Sequence, residues 1–188
     1  MYKRQLPALQ EATNIFICAE DLGMIPASVP GVMRQLNILT LEIQRMAKGD
    51  ADFGEPDKYL YTTVCSPSCH DMATVRGWWE EDFGRSDRFF HSFINSYNPT
   101  PKSCTPGVVE VINMQHLDSP SMWAIFPIQD LVGMDADLRR ADATAEQIND
   151  PSNPEHYWRF RFHMNLEDLL EADEFNGKVK KMVEVSGR

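Results

Sequence analysis

Four short runs of apolar residues, each closed by turn-forming or charged residues, set the pattern of this chain. Their β-branched and aromatic content predicts β-strands over residues 15–19, 38–44, 59–65 and 121–127. The first run has no alternation of polar and apolar positions, which is typical of a strand covered on both faces in a parallel sheet. We therefore expect a parallel sheet in which this strand is buried.

Between and after these runs the apolar residues recur at helical spacing instead. The pattern predicts helices over residues 28–36, 72–79, 89–94 and 105–114, another beginning near residues 129–130, and a last one from residue 165. Strands that return through helices predict a parallel α/β fold with right-handed crossovers. A whole (β/α)8 barrel takes eight such units and about 250 residues, so the chain has room for about half a barrel.

Composition narrows the class of protein. With 188 residues, 43% hydrophobic and 24% charged, the chain is typical of a globular domain. A formal net charge of −10 with scattered Lys and Arg argues against a nucleic-acid partner, because phosphate binding needs clustered cations. No apolar run approaches the roughly 18 residues that span a bilayer, so no membrane partner is expected. The four cysteines are expected to be free thiols in a cytoplasmic protein.

Two carboxylates follow predicted strands and are candidates for chemistry. Glu20 follows the first strand and Asp71 the third, and the carboxyl ends of parallel strands lie at the rim where α/β folds bind ligands. Glycosidic bond cleavage uses such carboxyl groups, and His70 beside Asp71 suits a hydrogen bond to a sugar hydroxyl. Plainer interpretations remain open: Glu20 as a solvated loop residue or a helix-start carboxylate, and Asp71 as the cap of a helix beginning at Met72.

Other conspicuous residues have simpler interpretations. Cys65, Cys69 and His70 have donor atoms that suit zinc, but their spacing is unusual and no second cluster accompanies them, so we predict no metal site. The adjacent Trp78 and Trp79 are expected in the core. Trp158 lies in a polar, Arg-rich segment and is the better candidate for stacking against a sugar.

Two short motifs resemble those of a known family. Ala19-Glu20-Asp21-Leu22-Gly23 and His70-Asp71 are similar, in this order, to motifs of the 4-alpha-glucanotransferases of glycoside hydrolase family 77, the amylomaltases. Features of its cytosolic, maltose-using plant and algal members extend the likeness over nearly the whole chain. They lie at residues 66–71, 78–82, 121–130, 148–151 and 157–159.

The resemblance implies a reaction and roles for individual residues. Glu20 would be the general acid/base and Asp71 the residue that stabilises the transition state. His70 would contact the sugar at the cleavage site, and Asn149 would contact sugar from the loop after the last strand. The implied reaction moves glucosyl units from maltose or another alpha-1,4-glucan to a glycan acceptor with retention of configuration, and it needs no cofactor or metal.

One element of the family is not found. Its nucleophile is an Asp in an Arg-x-Asp motif at the end of an earlier strand, whereas Arg85-Ser86-Asp87 here lies in a predicted helical region. The resemblance places residues 1–188 in the C-terminal half, strands five to eight, of a single catalytic TIM barrel. The missing N-terminal half would then be a partner, and the chain would be inactive alone. A non-catalytic carbohydrate-binding or scaffolding fragment, which needs Trp158 but not Glu20, is the alternative.

Overall fold

The computed structural model describes residues 2–95 and 97–188 and divides into two compact units. The first unit consists of the residues up to Ser66 together with Ser119–Ile125. The second consists of Pro67–Asp118 together with Phe126–Arg188.

The first unit is built on a parallel sheet. In the described residues the sheet has four strands in the order β1-β2-β3-β4, so each strand pairs with the next one along the chain. The strands are β1 (Cys18–Ala19), β2 (Leu39–Ile43), β3 (Thr63–Ser66) and β4 (Trp123–Ala124). The predicted parallel α/β arrangement is confirmed, although β1 and β4 are much shorter than the apolar runs that contain them.

Helices and a small apolar cluster complete this unit. They are α1 (Tyr2–Glu11), α2 (Val29–Leu36) and a 3-10 helix (Pro56–Lys58). Buried residues of α2 pack with Ile38 at the start of β2. Helix α2 ends where Asn37 takes the left-handed conformation, with φ of 52°, and donates its N–H to the Arg34 carbonyl at 3.3 Å. This turn directs the chain into β2.

The expectation that the first strand is buried on both faces is wrong. Ile17 and Ala19, two positions apart, pack against the α2 cluster, whereas Ile15 and Phe16 are exposed. The described elements of this unit thus cover β1 on the side of α2 only. On its other side Phe16 contacts Trp123, with 5.9 Å between ring centroids, and Trp123 is also exposed.

The second unit is helical in the residues described. Its helices are α3 (Val75–Glu81), α4 (Phe83–Phe93), α5 (Pro106–Leu117), α6 (Ile128–Val132), α7 (Leu166–Leu170), α8 (Asp173–Ser186) and a 3-10 helix (Ala143–Glu146). Trp78 and Trp79 meet Phe89 edge to face, with centroids 5.3 and 6.5 Å from it, and all three are buried. Their predicted place in the core is confirmed.

Helix α3 begins three residues later than the sequence pattern predicts. Its N-cap is Thr74, whose hydroxyl accepts a hydrogen bond from the backbone N–H of Gly77 at 3.2 Å. The interpretation of Asp71 as the cap of a helix beginning at Met72 is therefore wrong. Residues 67–74 stay outside the helix, and the Asp71 side chain is left for other contacts.

Within the parts of the chain described above, no helix is long and apolar enough to cross a membrane.

Candidate functional site

A short segment of the second unit carries an exposed histidine and aspartate next to each other. His70 and Asp71 lie between the end of β3 and the start of α3. The His70 Nε2 atom is 3.3 Å from Asp71 Oδ2, and the Asp71 side chain is 44% exposed. An imidazole and a carboxylate are therefore presented side by side, each able to contact a bound molecule.

Two distant parts of the second unit meet this pair. The Asn149 amide donates a hydrogen bond to Asp71 Oδ1 at 2.7 Å. The ring of Trp158 lies 5.7 Å from that of His70, and Trp158 is 59% exposed. His70, Asp71, Asn149 and Trp158, all of them predicted from the sequence as site residues, thus form one cluster, which we name the His70 cluster.

One further aromatic residue belongs beside this cluster and was missed from the sequence. The centroid of the His156 ring is 6.2 Å from that of the Trp158 ring, and the two rings are nearly perpendicular, with an interplanar angle of 83°. Its Nε2 atom lies 3.1 Å from the Ile148 carbonyl oxygen. The sequence spacing of His156 and Trp158 could have indicated this contact, because residues two positions apart in an extended segment face the same side.

The chemistry of the His70 cluster suits a neutral, polyhydroxylated ligand. A carboxylate accepts hydrogen bonds, an amide both donates and accepts them, and an imidazole can do either. The exposed face of Trp158 adds an apolar surface beside these polar groups. A few convergent polar groups next to an aromatic surface are typical of binding sites for small organic molecules.

Buried polar residues support the loop that carries Asn149. Glu146, in the 3-10 helix three residues earlier, forms an ion pair with Arg76 and accepts a hydrogen bond from the Thr74 hydroxyl at 3.2 Å. Arg76 also donates to the Arg140 carbonyl at 2.8 Å. Burial raises the pKa of Glu146, and the charge of Arg76 and these hydrogen bonds only partly offset that effect. The start of α3 and the Asn149 loop are thereby joined.

The remaining candidate, Glu20, belongs to the first unit. It directly follows β1, its side chain is exposed, and it makes no hydrogen bond to another residue that the structure describes. Gly23, with φ of 79°, supplies the left-handed turn that ends the motif. Glu20 is thus an available carboxylate at the carboxyl end of a parallel strand.

The residue after Glu20 fixes this turn to the sheet. Asp21 is buried, and its Oδ1 accepts a hydrogen bond from the backbone N–H of Leu41 in β2 at 2.9 Å. Its Oδ2 pairs with the Lys48 ammonium at 2.8 Å, and Lys48 also reaches Glu42 at 3.0 Å. In the sequence Asp21 is only one residue of a motif. Its anchoring contact joins residues 20 positions apart and is seen only in the structure.

The Arg85-Ser86-Asp87 sequence lies inside a helix, as predicted, and the Asp of a second Arg-x-Asp, Asp142, is the N-cap of the 3-10 helix Ala143–Glu146. Asp87 is in α4, where its Oδ1 accepts a hydrogen bond from the Thr100 hydroxyl at 2.6 Å and lies 3.4 Å from His91 Nε2. Asp87 therefore has a local role in holding the residues after α4.

The residues whose donor atoms suit zinc are divided between the two units. All four cysteines are free thiols; Cys65 is buried in the first unit, whereas Cys69 and His70 belong to the second. In residues 2–95 and 97–188, no three side chains of His, Cys, Asp or Glu are grouped closely enough to hold a metal ion.

Comparison with known proteins gives consistent matches along this chain. The sequence profile of a family described as 4-alpha-glucanotransferase matches residues 2–167. A 4-alpha-glucanotransferase of rice (Oryza sativa subsp. japonica) is 48% identical over 186 residues, which are 98% of this chain and 20% of the rice protein. One from Chlamydia caviae is 26% identical over 178 residues, covering 93% of this chain and 33% of its own length. The chain thus spans a third or less of these two relatives.

Solved structures of similar fold include an amylomaltase from Streptococcus agalactiae determined in complex with acarbose. It aligns with 100% of this chain and 35% of its own chain, with a TM-score of 0.72 and 20% sequence identity. An amylomaltase from Corynebacterium glutamicum aligns with 92% of this chain and 29% of its own, with a TM-score of 0.61 and 15% identity. At such identities the likeness shows the fold.

Proposed function

The chain belongs to the 4-alpha-glucanotransferase family, glycoside hydrolase family 77, and from this premise we propose that it is the acid/base-bearing part of a retaining 4-alpha-glucanotransferase. The substrate is maltose or another alpha-1,4-glucan, and the acceptor is a glycan. The observation that carries the proposal is the hydrogen bond from Asn149 to Asp71, because it gathers the predicted sugar-binding residues into one cluster.

Each residue has a role that its chemistry supports. Glu20, as a carboxylic acid, donates its proton to the glycosidic oxygen as the bond to the anomeric carbon breaks. Asp71 stabilises the positive charge that develops on the sugar, and it also accepts hydrogen bonds from hydroxyl groups. His70 and Asn149 bind sugar hydroxyls, and Trp158 packs against the apolar face of a sugar ring.

As the first sugar leaves, a nucleophilic carboxylate from another part of the enzyme forms a bond to the anomeric carbon. The second half of the reaction then returns the acid/base to its starting state. Glu20, now a carboxylate, takes the proton from an acceptor hydroxyl as the oxygen of that hydroxyl attacks the anomeric carbon and displaces the nucleophile. Configuration is inverted twice and so retained.

We place the chain in the C-terminal half of one catalytic (β/α)8 barrel, as strands five to eight. This is supported by the parallel strand order β1-β2-β3-β4 and by the third or less of its relatives' length that the chain spans. The N-terminal half would supply the nucleophile and would also cover exposed residues of the sheet such as Phe16 and Trp123. The chain is then inactive without that half.

The thiols and the net charge of the chain bear on its location and on its ligand. We propose a cytosolic protein, supported by its free thiols. The net charge of −10 suits a neutral glucan rather than a nucleic acid.

A non-catalytic sugar-binding role remains the alternative, and one observation favours it. The His70 cluster is complete within the second unit, so sugar binding there does not require Glu20 of the first unit. In that case the aromatic contacts of Trp158 would matter and Glu20 would have no function.

Sugar affinity measured on the purified chain tests the binding part of the proposal. Acarbose is titrated into the 15N-labelled protein, and the dissociation constant is compared among variants. We expect Trp158→Ala to weaken binding by about three- to tenfold, since an aromatic contact contributes about 0.5–1.5 kcal/mol. The matched control is Tyr157→Ala, which removes an exposed aromatic side chain at the preceding position. Equal affinities for the two variants and the unchanged chain would contradict a sugar site at Trp158.

A further inference from the structure

One buried carboxylate holds both ends of the segment that carries His70 and Asp71. Asp130 lies in α6 and is only 1% exposed. Its Oδ2 accepts a hydrogen bond from the hydroxyl of Ser68, which comes before the pair. Its Oδ1 accepts one from the backbone N–H of Val75, which comes after the pair, at 2.8 Å. The segment from 68 to 75 is thus closed into a loop by a single side chain.

Asp130 is itself fixed in place from another helix. The Asn113 amide in α5 donates a hydrogen bond to the Asp130 backbone carbonyl at 2.9 Å, and Asn113 is also buried. The anchor of the loop is therefore part of the packed interior of the second unit, while His70 and Asp71 are exposed.

The cost of burying this carboxylate indicates a specific role. A polar group that is buried without hydrogen-bond partners is strongly disfavoured, so the contacts of Asp130 with Ser68 and Val75 are difficult to break. His70 and Asp71 themselves are about half exposed, so the contacts of Asp130 at the two ends of the segment help to restrict where they can lie.

We propose that Asp130 is a positioning residue for the His70 cluster. By holding Ser68 and Val75 it keeps Asp71 within reach of the Asn149 amide and keeps the His70 ring beside Trp158. The ligand part of this inference rests on the proposed function, whereas the structural part does not. A displacement of about 1 Å at a reacting or binding group can cost about a hundredfold in rate, so such an anchor affects function without touching the sugar.

Three variants of the 188-residue chain separate positioning from general stability. Asp130→Ala removes both end contacts. Asp130→Asn retains a carbonyl oxygen for the Val75 N–H, and its amide can donate to the Ser68 hydroxyl, so it is the conservative rescue. Asn113→Ala is the matched control, because it removes a buried hydrogen bond to the same residue but leaves the carboxylate contacts intact.

Hydrogen exchange of individual backbone amides is the direct readout, and acarbose affinity is the second. We expect Asp130→Ala to raise the exchange rates of residues 69–75 at least about tenfold more than those of the remaining amides, and to weaken acarbose binding by about tenfold. Asp130→Asn should stay within about threefold of the unchanged chain on both. Asn113→Ala should shift exchange throughout the second unit without singling out residues 69–75.

Equal exchange patterns for Asp130→Ala and Asn113→Ala would overturn the proposal. If Asp130→Ala does not fold, Ser68→Ala removes one of the two end contacts more mildly, and unchanged exchange of residues 69–71 in that variant would also overturn it. Exchange involves no sugar. A chain that does not bind acarbose therefore contradicts the proposed function, and the exchange pattern still decides the role of Asp130.

Discussion

Asn149 donates a hydrogen bond to Asp71 Oδ1 at 2.7 Å across 78 positions of sequence. Asn149 is only 8% exposed, whereas the Asp71 side chain is 44% exposed. The buried amide therefore orients an otherwise solvated carboxylate and leaves its Oδ2 towards His70. The Asn149 loop and the segment after β3 form one site through this contact.

Replacing Asn149 with Asp should damage the site more than removing the side chain. A second carboxylate 2.7 Å from Asp71 would repel it while both groups are ionised, and at lower pH the pair would share a proton. We expect Asn149→Asp to weaken acarbose binding more than Asn149→Ala does at pH 7, with partial recovery near pH 5 as that proton is taken up. The dissociation constant at the two pH values is the measurement.

Asn153→Asp is the control for this comparison, because it adds the same charge four positions further along the same loop. Its amide oxygen accepts only a local hydrogen bond, from the Glu155 N–H at 3.0 Å. If Asn149→Asp and Asn153→Asp behave alike, the Asn149–Asp71 contact does not organise the site.

Asp21 should contribute substantially to the stability of the first unit. Asp21→Ala leaves the Leu41 N–H without its 2.9 Å acceptor and Lys48 without its 2.8 Å partner. We expect a loss of about 1–3 kcal/mol in the free energy of unfolding, measured by urea denaturation. Glu55→Ala removes an ion pair with Lys58 that solvent screens, so it should cost much less. Losses of equal size would mean that Asp21 is not a structural anchor.

Despite its ion pair with Arg76, Glu146 should not stabilise the folded protein at neutral pH. Burial raises the pKa of Glu146 above its ordinary value of 4.5, so the folded state favours the protonated form more than the unfolded state does. Its contribution to stability is fully present below the unfolded pKa and is lost as the pH rises through the raised folded pKa.

Glu146→Gln should therefore match the unchanged chain below about pH 4 and become relatively more stable as the pH rises towards 7. Unfolding free energies measured across this range test the sign. Glu55→Gln, at an exposed position, is the control and should show no such trend. A wild-type chain that gains stability relative to Glu146→Gln with rising pH would show that attraction to Arg76 outweighs burial.

The 188-residue chain alone should not transfer glucose. Arg-x-Asp occurs twice in the sequence, and neither Asp directly follows a strand: Asp87 is held in α4 by Thr100 at 2.6 Å, and Asp142 caps the 3-10 helix Ala143–Glu146. Incubation with maltose and glycogen should release no glucose above a protein-free blank. Release of glucose that disappears in Asp87→Ala would instead identify Asp87 as a nucleophile.

Local sequence patterns predict some parts of this structure and not others. The strands were found because β-branched residues mark them, but their ends depend on which neighbours pair with them, so β1 shrinks to Cys18–Ala19. Asp71 and Thr74 can both cap a helix, and the sequence does not decide between them; in the structure Thr74 is the cap.

The candidate site, too, is only partly predictable from local sequence patterns. The residues of the His70 cluster were identified from motifs, whereas their convergence depends on contacts across the second unit, such as that from Asn149 to Asp71. Asp130 and Asp21 escaped notice because a buried carboxylate is recognised by its partners, and those partners lie up to 62 positions away.

A chimaera measures the role of Glu20 most directly. This chain replaces the matching stretch of the rice 4-alpha-glucanotransferase, with which it shares 48% identity over 186 residues. Glucose release from maltose in the presence of glycogen is then compared for the chimaera, its Glu20→Gln variant and a Glu55→Gln control. We predict that the chimaera and the control are active, and that Glu20→Gln lowers turnover about 10²- to 10⁴-fold while maltose still binds. A Glu20→Gln chimaera that turns over at the rate of the control would contradict the account.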